Sequence, residues 1–186
     1  ETHMSKTALI IVDMQNDYFP QGKWTLTGIE TAAVNTAKVL STFRERQQPV
    51  IHVRHEFLPN AAPFFVPGSE GADIHADLRP ADGEFQVLKN EVNSFKGTEL
   101  QALLQREQIT DLVIVGAMSH ICIDAIIRAA GDLGYANTVL HDACATLDAE
   151  FNGVQVPAAQ VHAAFMAALA FAYADVISTD TFLSRG

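Results

Sequence analysis

Short apolar runs alternate with helical patterns along the whole chain. Ala8-Leu9-Ile10-Ile11-Val12 is an unbroken apolar run, the pattern of a strand buried on both faces. Residues 32–46 are helical in period, with Ala33, Val34, Ala37, Leu40 and Phe43 on one face. A second strand follows at 49–53 and a weaker third at 84–88. Residues 98–107 read as a helix with Thr98 as its N-cap, and 112–115 as the clearest strand. Residues 121–133 read as a helix stopped by Gly134, and 138–140 as a fifth strand. A long Ala-rich helix at 157–173, with Pro157 in its first turn, leads to a sixth strand at 175–178.

Strand and helix in alternation predict a mainly parallel sheet covered on both sides. The expected fold is a three-layer α/β/α arrangement, doubly wound and Rossmann-like, with six strands. Residues 55–83 break the rhythm. They carry Pro59, Pro63, Pro67 and Pro80 but also Phe57, Phe64, Phe65 and Val66, too apolar for a solvated linker.

Composition narrows the picture. The chain has 186 residues, 48% hydrophobic and 18% charged, which suits one domain over 4–186 with a core of its own. Glu1 to His3 reads as an expression remnant ahead of Met4. Lysine and arginine number 12 against 22 acidic residues, a net charge of −10, which speaks against nucleic acid and anionic membranes as partners. No apolar run reaches the ~20 residues that span a bilayer. Two cysteines, Cys122 and Cys144, make no disulfide framework, and a reducing compartment, the cytoplasm, is expected.

In a parallel α/β sheet, sites form beyond the carboxyl ends of the strands, where strand order reverses. Asp13 follows the first strand, Lys89 the third, and Cys122 lies where the fourth runs into a helix. A carboxylate, an ammonium and a thiol thus leave one sheet edge. A thiol attacks carbonyls as thiolate, and a helix N-terminus and a nearby lysine are expected to lower its pKa. A carboxylate within reach can take its proton and later activate water. Cys144, with nothing cationic beside it in sequence, is expected to be structural.

The stretch Ala8-Leu9-Ile10-Ile11-Val12-Asp13-Met14-Gln15-Asn16-Asp17-Tyr18-Phe19 resembles the opening of the isochorismatase-like cysteine hydrolases. That family includes nicotinamidases, N-carbamoylsarcosine amidases and related amidohydrolases. Val115 to Asp124 is similar to the family's nucleophile segment, and Leu140 to Thr146 to its fifth-strand end. The likeness runs in order over nearly the whole chain. It implies a catalytic triad of Asp13, Lys89 and Cys122. It also implies a cis peptide between Ala117 and Met118 that aims the backbone N–H groups of Met118 and Cys122 into an oxyanion hole.

Candidates for the substrate pocket are Phe19, Trp24, His55, Phe57, Phe64, Phe65, Met118, Ser119 and His120. His120 has an alternative role as donor to nearby backbone. The nicotinamidases' Asp and His ligands have no counterpart after the second strand. His52 and His55 point to opposite faces of a strand, so neither a metal nor another cofactor is expected.

The leading expectation is hydrolysis of a carbon–nitrogen bond in a small molecule through a Cys122 thioester. Vinyl-ether hydrolysis is a second enzymatic reading, and a thiol sensor or small-ligand module on the same fold is a third. A dinucleotide site is excluded, because no Gly-x-Gly-x-x-Gly follows the first strand. The nearly all-apolar helix at 157–173 and the apolar 55–83 loop predict a homo-oligomer, a dimer or higher.

Overall fold

The computed structural model describes residues 4–58 and 62–186. Residues 1–3 and Pro59 of the long loop lie outside the described residues. Strands β1 (Thr7–Val12), β2 (Val50–His55), β3 (Phe85–Lys89), β4 (Asp111–Ala117), β5 (Ala136–Ala145) and β8 (Asp175–Ile177) form one sheet. Its order is β3-β2-β1-β4-β5-β8, and every neighbouring pair is parallel. The chain winds outward from β1 to β3, then returns to β4 on β1's other side. The reversal of strand order therefore falls between β1 and β4.

Helices α1 (Ile29–Glu45) and α5 (Thr179–Ser184) cover one face. The other is covered by α2 (Leu100–Arg106), α3 (Asp124–Asp132) and α4 (Ala158–Ala172). Alternation divides β1 between the two cores: Leu9 and Ile11 join one, Ala8, Ile10 and Val12 the other. A strand with no solvent face cannot carry polar residues, which is why β1 is written as a continuous apolar run. Each buried Leu or Ile there contributes roughly 1.5–3 kcal/mol relative to exposure.

Five features differ from the sequence reading. Glu99, not Thr98, is the N-cap of α2, and the short helix α5 follows the last strand. The helix after β4 begins as a π-helical turn, Ser119–Ile123, before α3 proper. Strand β5 is longer than 138–140, because its pairing with β4 shifts register between Ile114 and Gly116 and continues beyond the shift. Gly116 has φ 131, and a Cβ there would collide with the Val12 backbone, so only glycine lets the two central strands approach so closely. Finally, β6 (Ala149–Phe151) and β7 (Val154–Val156) form a hairpin that was not foreseen. Its turn is Asn152-Gly153, both at positive φ, the strongest short-range hairpin signal a sequence offers.

The long segment after β2 is tied down by the residues that follow β1. The Gln15 side chain accepts from the His55 N–H and donates to the His55 and Ala72 carbonyls, each at 2.8 Å. The Asp17 carboxylate accepts from the Phe65 N–H at 2.7 Å and from the Lys23 N–H at 3.2 Å. Phe65 sits at φ 51, a left-handed conformation that a bulky residue adopts only when held there. Gly71 packs its Cα on the same carboxylate, leaving no room for a Cβ. Asp17→Ala is therefore expected to cost about 1–3 kcal/mol and to loosen the segment from Pro63 to Leu78. Denaturant unfolding with hydrogen exchange checks this. An unchanged midpoint would mean that aromatic packing alone holds the segment.

Candidate active site

Asp13 leaves β1 at φ 56, a left-handed turn that aspartate tolerates, and its N–H donates to the Val53 carbonyl at 2.8 Å. Lys89 is the last residue of β3. There Val87 and Lys89 alternate inward while Gln86 and Leu88 face out, so the period of the strand drives a lysine into the interior. Cys122 lies in the π-helical turn that follows β4. Asp13 and Lys89 are 0% exposed and Cys122 is 5% exposed.

These three side chains meet. The Lys89 Nζ lies 3.1 Å from Asp13 Oδ2 and 3.3 Å from Cys122 Sγ. It also lies 2.7 Å from His55 Nδ1 and donates to the Glu91 carbonyl at 3.1 Å. Among the described residues Asp13 Oδ1 has no hydrogen-bond partner, the Lys89 ammonium lies beside Oδ2, and the Cys122 thiol is close enough to interact with the carboxylate. A buried carboxylate with spare acceptor capacity is ready to take a proton. The Ala117–Met118 peptide is cis, and the Met118 carbonyl accepts from the Ile121 and Ile123 N–H groups of the turn.

The electrostatics correct one expectation. The Cys122 thiol is not depressed. Burial pushes its pKa up, Asp13 adds to the rise, and the nearby Lys89 opposes without prevailing. Burial disfavours the Lys89 ammonium too, but Asp13 and Cys122 outweigh it and raise the lysine above its usual value. Burial thus favours the thiol form of Cys122, while Asp13 and Cys122 favour the ammonium form of Lys89.

His55 is lowered to about 4, by burial first and by the Lys89 charge second. Its ring packs tilted against Phe57, centroids 4.4 Å apart, and an aromatic chain runs on through Phe64 and Phe65 to Trp24. Trp24 ends that chain at the surface, 37% exposed. Tyr18, which sequence reasoning did not single out, packs 4.6 Å from Phe65. Burial raises its phenol, as do the charges of Asp13 and Cys122, so it stands within the field of the site.

Other candidates are placed differently. Phe19 stacks on His75 at 4.0 Å, and the two line a separate cavity of about 770 Å³ against Ala33, Val34 and Ala37 of α1. Ser119 Oγ pairs with His162 Nδ1 at 2.7 Å, tying the nucleophile turn to α4. His120 Nδ1 pairs with the Thr146 hydroxyl at 2.7 Å, so its partner is a side chain of the β5 end and not nearby backbone. His162, Thr146 and Gln15 lie far from Cys122 in sequence and carried no local signal.

The two histidines of β2 each have one ring nitrogen engaged by a neighbouring side chain. His52 Nε2 pairs with Glu84 Oε1 at 2.9 Å, and the Nδ1 of His55 is taken by Lys89. Among the described residues no group of three or more His, Cys, Asp or Glu is placed to hold an ion.

Acid sensitivity follows from the same groups. His55 titrates near 4 in the fold against 6.5 in an unfolded chain, so the unfolded state binds the proton first. Stability is full above pH 6.5 and falls toward pH 4, by roughly 3 kcal/mol from this residue. Glu84 is held at about 2; burial works against it, but hydrogen bonds from Arg44, the Ala81 N–H and His52 prevail. Its contribution is present above 4.5 and lost as pH falls toward 2. Melting temperature is expected to decline below pH 6.5 in two stages. A flat profile from pH 7 to 4 would contradict the assignment.

A doubly wound parallel sheet here brings a thiol, a carboxylate and an ammonium together beyond its strand ends, the makings of a catalytic centre in a small α/β enzyme. The comparison with known sequences makes that specific: the chain belongs to the isochorismatase family, whose Isochorismatase domain matches residues 7–181. The uncharacterized isochorismatase family protein YddQ of Bacillus subtilis is 49% identical over 177 residues, covering 95% of this chain and 98% of the relative. A solved structure from Oleispira antarctica is 56% identical, covers 99% of both chains and superposes with a TM-score of 0.94. A more distant relative, the ureidoacrylate amidohydrolase RutB of Variovorax paradoxus, is 24% identical over 174 residues, covering 76% of this chain and 69% of that protein. The protein is a hydrolase, and among the described residues no helix is long and apolar enough to cross a membrane.

Proposed function

We propose that the protein cleaves a carbon–nitrogen, amide-type bond of a small molecule through a thioester on Cys122. The observation that carries this reading is the Lys89 ammonium, 3.3 Å from the sulfur and 3.1 Å from Asp13 in a site with almost no solvent access. Asp13 takes the thiol proton as Sγ bonds to the carbonyl carbon. Lys89 balances the charge that passes from sulfur to the carbonyl oxygen, and the Met118 and Cys122 N–H groups hold that oxyanion. Collapse expels the nitrogen, which leaves with the proton held by Asp13. Water then gives a proton to Asp13, adds to the thioester and frees the acid and the thiol. The raised thiol pKa fits a proton that moves only when the electrophile is in place. The amidohydrolase relative supports the carbon–nitrogen class.

His55, Phe57, Phe64, Phe65 and Trp24 form the substrate side in this reading, with Phe19, Ser119 and His120 shaping its borders. The test is a panel of primary amides, carbamoyl compounds and cyclic amides, quenched in acid and weighed intact. An acyl increment on Cys122 together with release of ammonia or amine supports the proposal. Turnover without any Cys122 adduct, in burst-phase sampling of several substrates, would overturn it.

We also propose that the protein self-associates. Helix α4 leaves Ala159, Ala163, Ala167 and Ala170 exposed and Phe171 91% exposed, while the nearby hairpin exposes Phe151 at 81%. An apolar face of that extent marks an interface. Sedimentation at micromolar concentration is expected to show a dimer or larger, and a monomer of 20.2 kDa would refute it.

A further inference from the structure

We propose that His55 is a positioning residue: its neutral ring accepts a hydrogen bond from the Lys89 ammonium through Nδ1, and so aims that ammonium at Cys122 without neutralising it. The two residues are direct partners across β2 and β3, and the 2.7 Å between Nδ1 and Nζ is the shortest contact the ammonium makes. An ammonium has hydrogens to give and no lone pair, so the imidazole nitrogen facing it must be the acceptor. The ring proton then sits on Nε2, which is buried and has no partner.

The ring is built to stay where it is. Gln15 brackets the His55 backbone on both its N–H and its carbonyl, and Phe57 packs on the ring. The groups facing His55 are Lys89 from β3, Asp13 from the end of β1, and Glu91. Those facing Cys122 are Asp13, Lys89 and Tyr18. A carboxylate at position 55 would compete with Asp13 for the ammonium and raise the thiol further. An apolar residue would leave the ammonium free to tilt toward Asp13 or Glu91. A neutral acceptor does neither, and the depressed basicity of His55 agrees with a ring that stays uncharged.

The inference rests on reading Lys89 as the partner of Cys122, and its test uses neither substrate nor turnover, so it can fail or succeed apart from the hydrolase reading. In a Cys144→Ala background, the alkylation of Cys122 by iodoacetamide is followed from pH 7 to 10. His55→Leu and His55→Asp are expected to slow it at least about fivefold at pH 9, because less thiolate forms. His55→Asn, whose amide oxygen occupies the place of Nδ1, is expected to recover most of the rate. A His55→Leu rate equal to the parent's, or a His55→Asn rate as slow as that of His55→Leu, would overturn the proposal. Should the leucine variant fail to fold, the imidazole ¹⁵N shifts of the unaltered protein decide. A bare Nδ1 and a protonated Nε2 from pH 5 to 9 support it, and a proton on Nδ1 at pH 7 overturns it.

Discussion

Cys122→Ala is expected to lower turnover at least about 10³-fold while leaving the melting curve close to that of the parent. The size of the loss follows from the absence of a substitute. Cys144, the second thiol, is buried in the core at the β4–β5 pairing, and burial drives its pKa up to about 12. Cys144→Ala is expected to leave turnover nearly unchanged, at the modest stability cost of a small cavity. Steady-state rates and thermal melts on the two variants check both halves. If the phenotypes exchange, Cys122 is not the nucleophile.

The second large effect concerns the buried ion pair. Lys89→Met removes the only cation that the described residues place beside Asp13, which is 0% exposed, and leaves an unpaired carboxylate in the interior. Breaking one partner of a buried pair costs about 3–5 kcal/mol. Activity is expected to fall with it, since the thiol loses the one charge that favours its thiolate. Adding Asp13→Asn removes the orphaned charge as well. The double variant is expected to recover most of the lost stability and none of the lost activity. Denaturant unfolding and turnover, measured together on both singles and the double, separate the two quantities. If the double were as unstable as the sum of the singles, the pair would not be an isolated unit; if it regained activity, the catalytic reading of both residues would fall.

The sheet was legible because β1 and β4 are buried on both faces, and such strands can only be apolar. The convergence of Asp13, Lys89 and Cys122 was legible because strand ends meet in this topology, and the three side chains do lie together. What was not legible has a common cause. The Asp17–Phe65, Ser119–His162 and His120–Thr146 contacts join residues distant in sequence through single side chains, which leave no periodic trace. The sign of the Cys122 shift was misjudged for a related reason. Charge neighbours can be guessed from strand order, but the depth of burial, which dominates here, depends on how the whole 62–78 segment packs. The β6–β7 hairpin differs again, since its Asn152-Gly153 turn is a local signal but its two strands are only three residues each.

A thiol whose pKa burial pushes up and that is only 5% exposed has a further consequence for the life of the enzyme. Peroxides attack thiolates, and they attack those they can reach. A nucleophile activated in advance by a low pKa would be spent by oxidation between turnovers. Burial and a raised pKa both work against oxidation of Cys122, so its reaction with hydrogen peroxide is expected to be slow, and a nucleophile so kept would survive the intervals between turnovers.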